Sequence, residues 1–400
     1  MAATAAAGSS DLRRALLAGG VLAAGLTIGC SDDSTGPDQN LQPLTAEVPV
    51  AACYGIHDTY VRDGIAFVAA WNSGLLIYDV GNGIAGGSPA SPQLVGEVVP
   101  GGSTGCAGGA RTHNSWWFHD PETGEARYLF VGQEGPGSVG STSSGDIFVI
   151  DVSDLTNPVE VASYHRDDAG THNFWVDEEN AILYAAYYNG GVVAFDVSGT
   201  LPADLSTREI ARTLPGGEGA TFTWGVMLHD GALYAADMLS GFHKLQLEGT
   251  SFVHAGGGNN VEGRFTSDLW VHGDYAYTGT WGVREAPGNT VYIWTVSPAA
   301  PPVLVDSLQI PDVITVSDVE VSADGTRLLV TAECGNCAAG GLYVYDLADP
   351  RNPERVGHYP VNSGLHTGTF AAIDGELYVF GARNPASPSL MIFAVDALEP

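Results

Sequence analysis

His172-Asn173-Phe174-Trp175-Val176 is followed by Leu183-Tyr184-Ala185-Ala186 and then by Gly191-Val192-Val193-Ala194-Phe195-Asp196-Val197. The order is a histidine, an amide, alternating apolar residues, an apolar run, a glycine-bearing turn, and a strand ending in Asp-Val. The phrase opens again at His57-Asp58, His113-Asn114, Thr223-Trp224, Ser267-Asp268, Ser317-Asp318 and His366-Thr367. A recurrence of about 50 residues is the period of a propeller array. The closing strand of the phrase recurs as Leu75 to Val80, Ile147 to Val152, Val192 to Val197, Phe242 to Leu247, Val291 to Val296, Leu342 to Leu347 and Leu390 to Val395. Each run is short, rich in Val, Ile, Tyr, Phe and Trp, and bounded by Gly, Pro, Asn or Asp, which predicts strands. Beyond the N-terminal apolar run, no stretch sustains the i, i+3, i+4, i+7 pattern of a helix.

A fourth strand recurs as Gln93 to Val98, Val159 to Tyr164, Glu209 to Thr213, Val303 to Leu308 and Arg355 to Tyr359. None follows the seventh phrase, and Leu44 to Val50 is the candidate to stand in for it. The expectation is an all-β fold, a seven-bladed β-propeller over residues 43–398. Its N-terminal strand completes the last blade, so that no strand edge is left unpaired. The composition agrees: 53 glycines, 22 prolines and 15% charged residues exclude a long charged helix or coiled coil.

Three stretches carry a family resemblance. They are Gly74-Leu75-Leu76-Ile77-Tyr78-Asp79-Val80, then Asp146-Ile147-Phe148-Val149-Ile150-Asp151-Val152-Ser153-Asp154-Leu155-Thr156-Asn157-Pro158, and Asp346-Leu347-Ala348-Asp349-Pro350-Arg351-Asn352-Pro353. At these phrases the chain resembles the LVIVD-repeat family of exported bacterial and archaeal propellers. The resemblance implies the fold and an exported protein. It implies no particular chemistry, because a fold does not fix a function.

Arg13 and Arg14 precede an apolar run, Ala15 to Ile28, too short for a stable span, with small residues before Cys30. This is the layout of a secretory signal, expected over residues 1–29. The ending Leu26-Thr27-Ile28-Gly29-Cys30 resembles a bacterial lipobox, with Cys30 as the lipidated residue; the alternative is an ordinary signal peptide with a stray cysteine. Residues 30–42 read as a flexible polar tether. The expected address is the bacterial cell envelope, at the outer membrane or the periplasmic face, with the lipid anchor as the one membrane contact. A net charge of −31, from 46 acidic against 15 basic residues, argues against nucleic acid as a partner.

His57, His113, His172 and His366 occupy equivalent positions at the start of the first strand in four blades consecutive around the ring. Four imidazoles can converge there on a divalent metal, copper or zinc by donor type, with calcium also carried as a candidate; Glu134 is the carboxylate that would complete the shell. The competing reading is structural. Thr223, Ser267 and Ser317 hold the same position elsewhere, and on that reading each imidazole bonds to its own blade's loops and stays apart from the others. Trp71, Tyr188, Asp237, Trp281, Arg284, Glu333 and Arg383 sit on hairpins of the same rim, a mixture suited to a polar small molecule, a glycan or a protein. Tyr60, Trp116, Trp175 and Trp270 share one first-strand position and read as blade-to-blade packing.

The remaining cysteines read as disulfides, Cys53 with Cys106 and Cys334 with Cys337, the former contributing roughly 3–4 kcal/mol by constraining the unfolded chain. No H-E-x-x-H, P-loop or EF-hand is present. The sequence therefore reads as a lipoprotein binding module acting through its loop rim and leaning away from catalysis. The alternative is a metal-dependent, histidine-ligated enzyme of the periplasm or surface, such as an oxidoreductase.

Overall fold

A computed structural model describes residues 44–50, 55–102, 109–135, 137–258, 261, 263–335, 337–384 and 387–395. The expected signal peptide and tether, with Cys30, Cys53 and Cys106, lie outside the described residues. Apart from two short 3-10 turns, Pro100–Gly102 and Leu205–Arg208, the regular structure of the described chain is all strand.

The strands fall into consecutive groups of four. After β1 (Ala46–Pro49) come β2 to β5 (Asp58–Arg62, Ile65–Ala69, Leu75–Asp79, Gln93–Val98) and β6 to β9 (Thr112–Phe118, Tyr128–Gln133, Ile147–Asp151, Val159–Tyr164). Next are β10 to β13 (Phe174–Asp177, Ile182–Ala186, Val192–Asp196, Glu209–Thr213) and β14 to β17 (Thr223–His229, Ala232–Asp237, Gly241–Glu248, Ser251–Gly257). Then follow β18 to β21 (Phe265–His272, Tyr275–Trp281, Thr290–Ser297, Ala300–Gln309) and β22 to β25 (Thr315–Val321, Arg327–Glu333, Gly341–Asp346, Glu354–Pro360). The last are β26 to β28 (Thr367–Ile373, Glu376–Arg383, Ser389–Ala394). Each group is an antiparallel meander, and one bridge, Thr280 to Val316, joins β18–β21 to β22–β25. β1 lies antiparallel against β28, with Ala46 opposite Ile392 and Pro49 opposite Ser389. Small antiparallel four-stranded sheets in this number are consistent with a β-propeller.

Packing explains the repeated pattern. The middle strands β3 and β4 are buried throughout, which is why they read as unbroken apolar runs, whereas β5 is largely exposed. Successive residues point to opposite faces. Ile65, Phe67 and Ile77 pack with Leu129, Val131 and Ile150 of the next group, while Ala66, Val68 and Leu76 pack with Phe380 and Ile392. Each sheet is thus a filling between two neighbours. Truncating a side chain such as Phe67 to alanine would cost about 3–5 kcal/mol. β2 packs against β6 and β26, β6 against β10, β10 against β14, β14 against β18, β18 against β22, and β22 against β26.

The aspartate that ends the third strand has a structural task. Asp151, Asp196 and Asp346 accept bonds from the backbone N–H two residues on, at 3.0, 2.9 and 2.7 Å. Arg127, Arg208 and Arg327 pair with the same carboxylates at 2.7, 3.0 and 2.6 Å. Asp79 instead accepts four backbone N–H groups, from Gly81, Gly83, Ala85 and Gly87, and these hold its carboxyl below the usual range against the opposing effect of burial.

Candidate functional site

The backbone N–H of His57, His172 and His366 donates to Ala69, Ala186 and Ala382 at 2.8, 2.8 and 2.9 Å, fixing all three at the start of a first strand in the same way. Because neighbouring first strands pack side by side, their rings extend into one space. The structural expectation of separate imidazoles is overturned here. Ring centroids are 4.1 Å apart for His57 and His366, 4.2 Å for His57 and His113, and 4.1 Å for His113 and His172. His113 Nε2 faces His172 Nε2 at 3.1 Å, and His172 Nδ1 donates to the Trp224 carbonyl at 2.6 Å.

Two carboxylates border the cluster. Glu134 follows β7, its N–H donating to the Arg111 carbonyl at 2.9 Å. Its Oε2 lies 3.3 Å from His57 Nε2 and 3.9 Å from His113 Nε2, and its Oε1 accepts the Tyr188 hydroxyl. Glu333 holds His366 Nδ1 at 2.6 Å. Burial drives the His57 and His172 rings well below the ordinary imidazole range, with neighbouring imidazoles adding to it. Burial, with His57 beside it, lowers His113 to about 3. Burial opposes charge on His366 as well, but the Glu333 carboxylate outweighs it and raises that ring. Burial and mutual repulsion thus disfavour charge on three of the imidazoles, while Glu333 favours it on the fourth. His57, His113 and Glu134 each offer a ligand atom, all within 4.8 Å of one another.

Above His57, Glu134 and His366 opens a cavity of about 360 Å³, walled by Trp71, Tyr188, Phe222, Trp224, Met238 and Trp281. Trp71 stacks on His57 at 4.8 Å, and Trp224 meets Trp281 at 4.9 Å. Trp71 and Tyr188 hold left-handed backbone, φ 47° and 41°, at equivalent hairpin tips. Bulky residues pay about 1–3 kcal/mol for that conformation, a strain that concentrates at functional sites. The long loop after Glu134 folds over the cavity, where Gly137 and Val139 form part of its wall.

Other rim candidates are engaged elsewhere. Asp237 is fully buried and accepts from Phe222 N, Thr223 Oγ1, Leu239 N, and Ser240 N and Oγ, so it anchors its own hairpin. Arg284 lies over the Phe265 ring at 5.3 Å and donates to the Leu239 carbonyl. Arg383 pairs with Glu47 of β1 at 3.3 Å. The Sγ atoms of Cys334 and Cys337 are at disulfide distance, 2.09 Å.

Deeper between the first strands lies a second cavity, of about 200 Å³, bordered by Asp58, Asp268, Asp318 and Glu320. Tyr60, Trp116, Trp175 and Trp270 line it as an arc, successive rings 5.3, 5.0 and 6.1 Å apart, so they pack on each other while facing the space. Burial raises all four carboxyls, Asp58 to about 7, and mutual repulsion between Asp268 and Asp318 adds to the effect on Asp268. This layer was not singled out as a site. Alternation would have found it: a residue directly after the strand-start position shares a face with the aromatic two further on.

No curated protein matches this chain. The profile of the LVIVD repeat matches residues 57–99, 142–166 and 263–283, which take in β2–β5, β8–β9 and β18–β19. The chain carries LVIVD repeats.

Proposed function

We propose that the protein is a β-propeller binding module of seven four-stranded blades, closed by β1, which takes a small organic ligand into the cavity above the histidines. The aromatic cavity is the observation that carries this reading. About 360 Å³ enclosed by five aromatic rings and a methionine, with few polar groups at one side, is the usual form of a small-molecule site. The rings suit a planar apolar body, and the net charge of −31 favours a neutral or cationic ligand over an anion. Closure draws support from the β1–β28 pairing and from the packing of β26 on β2. The signal peptide and the lipid on Cys30 belong to the same reading, supported by the Leu26 to Cys30 pattern.

Calorimetric titration of the full chain with indole, p-cresol and benzamidinium tests the ligand class. The expected outcome is binding of at least one probe, weakened tenfold or more by Trp224→Ala. No heat with any of the three, or binding indifferent to Trp224, would remove the cavity as the site. A Cys30→Ser chain is expected in the soluble exported fraction.

A further inference from the structure

We propose that His57, His113 and Glu134 bind a first-row divalent metal ion, zinc or copper(II), at the floor of the aromatic cavity. The inference uses the same cavity as the reading above but does not require an organic ligand. Its geometry is close to ready. Ligands held about 2.0–2.2 Å from one ion stand roughly 3.0–4.2 Å apart. Here Glu134 Oε2 is 3.3 Å from His57 Nε2 and 3.9 Å from His113 Nε2, and the three ligand atoms span no more than 4.8 Å. Two imidazoles with one carboxylate match the donor preference of zinc and copper, whereas calcium takes oxygen ligands alone. His57 and Glu134 both line the cavity, so a ligand or water in it would have access to the ion.

The surroundings favour a ligating role over a purely structural one. Glu134 is buried, and its partners are the Tyr188 hydroxyl and the two imidazoles. Tyr188 fixes Oε1 and leaves Oε2 directed at the histidines, the kind of outer partner that orients a metal ligand. His172 is tied through Nδ1–H to the Trp224 carbonyl, so its Nε2 accepts from His113 Nε2–H at 3.1 Å, and ligation through His113 Nε2 would move that proton to the unpartnered Nδ1. The buried Nδ1 atoms of His57 and His113 have no hydrogen-bond partner among the described residues. A histidine kept for its hydrogen bonds would engage those atoms, and unsatisfied buried groups point to an ion or water as partner. The other close histidine pair, His243 and His254, shows the contrast. Its rings bond to each other at 2.9 Å and His243 also to Ser240, with no carboxylate bonded to the pair among the described residues.

The test is metal content. The full chain, stripped with a chelator, is loaded separately with zinc and copper(II), desalted, and assayed by plasma mass spectrometry. About one equivalent of at least one ion is expected in the wild type and in His254→Ala. His57→Ala/His113→Ala and the isosteric Glu134→Gln should each lose at least tenfold in affinity. Should the double variant fail to fold, Glu134→Gln carries the comparison. A second readout is the melting temperature of the wild type, which should rise with the ion and fall again with chelator. Metal retention no greater than in Glu134→Gln, or a melting temperature indifferent to both ions, overturns the proposal. Indole, p-cresol and benzamidinium titrations on the stripped protein separate the two readings, since a failure of metal binding leaves those results untouched.

Discussion

The strand-start position carries histidine in four groups and a hydroxyl in three, and the two sets do different things with the same backbone slot. Thr223 Oγ1 donates to Asp237 at 3.1 Å, Ser267 Oγ to the Val316 carbonyl at 2.6 Å, and Ser317 Oγ to the Leu365 carbonyl at 3.3 Å. Ser267 and Ser317 thereby stitch one sheet to the next. The histidines include one stitch, from His172 to the Trp224 carbonyl, yet His57, His113 and His172 meet one another and, with Glu134, form a cluster. Reach accounts for the difference. A hydroxyl ends one bond beyond Cβ and reaches only adjoining groups, whereas an imidazole extends far enough to meet the side chain in the same slot of the neighbouring unit. Substitution at one slot of a repeat therefore converts a fastening into a site while the scaffold is unchanged.

The comparison makes ordered predictions. On the hydroxyl side, Asp237→Ala strips the acceptor from five donors and should cost about 3–5 kcal/mol in chemical denaturation, with soluble protein lost. Asp58→Asn in the deeper layer should act in the opposite direction. With its folded carboxyl raised to about 7, Asp58 keeps a proton that the unfolded chain releases near its ordinary value. Its contribution is fully present below about pH 4 and lost as the pH rises through about 7. The asparagine variant should therefore melt about 2–4 °C higher than wild type at pH 8 and show no gain at pH 4. Equal melting at pH 8 would mean that Asp58 is compensated in its charged form.

Ser267→Ala removes one stitch and should cost about 1 kcal/mol, read as a melting shift of roughly 2–4 °C. Glu134→Gln should be the mildest in stripped protein, below about 1 kcal/mol, because its shape is kept and the Tyr188 hydroxyl keeps an acceptor. If Glu134→Gln instead destabilises as much as Asp237→Ala, the histidine side is a fastening like the other and the contrast between them collapses.

Much of the scaffold was legible because its signals are local. Gln93 to Val98 and Val159 to Tyr164 coincide with β5 and β9, and the Asp-Val phrases end where the strands do. β17 escaped the pattern: it holds His254 and ends in Gly256 and Gly257, both at positive φ, which blurs alternation and apolar content. The slots of the site were also legible, since repetition marks them. What they do was not, because it depends on contacts between units. Asp237, Arg284 and Arg383 look like rim polarity until their partners, mostly backbone groups and one distant carboxylate, are known. Phe222, Trp224 and Met238 look like core until a cavity is found beside them.

The pairing of β1 with β28 also bears on how the protein is made. Residues 46–49 meet residues 389–392, so a strand synthesised early waits for nearly the whole chain before it finds its partner. The entropic cost of so long a loop grows only slowly with its length, at about 0.6 kcal/mol per doubling, but contacts that distant delay folding. Until then Val48 and the backbone of β1 are bare, and β27 lacks its outer neighbours. A product cut short before residue 389 would leave an open edge on β27 and an unpartnered strand at the opposite terminus, both prone to pairing with other chains. Loss of β28 is thus registered at two places, on β27 and on β1.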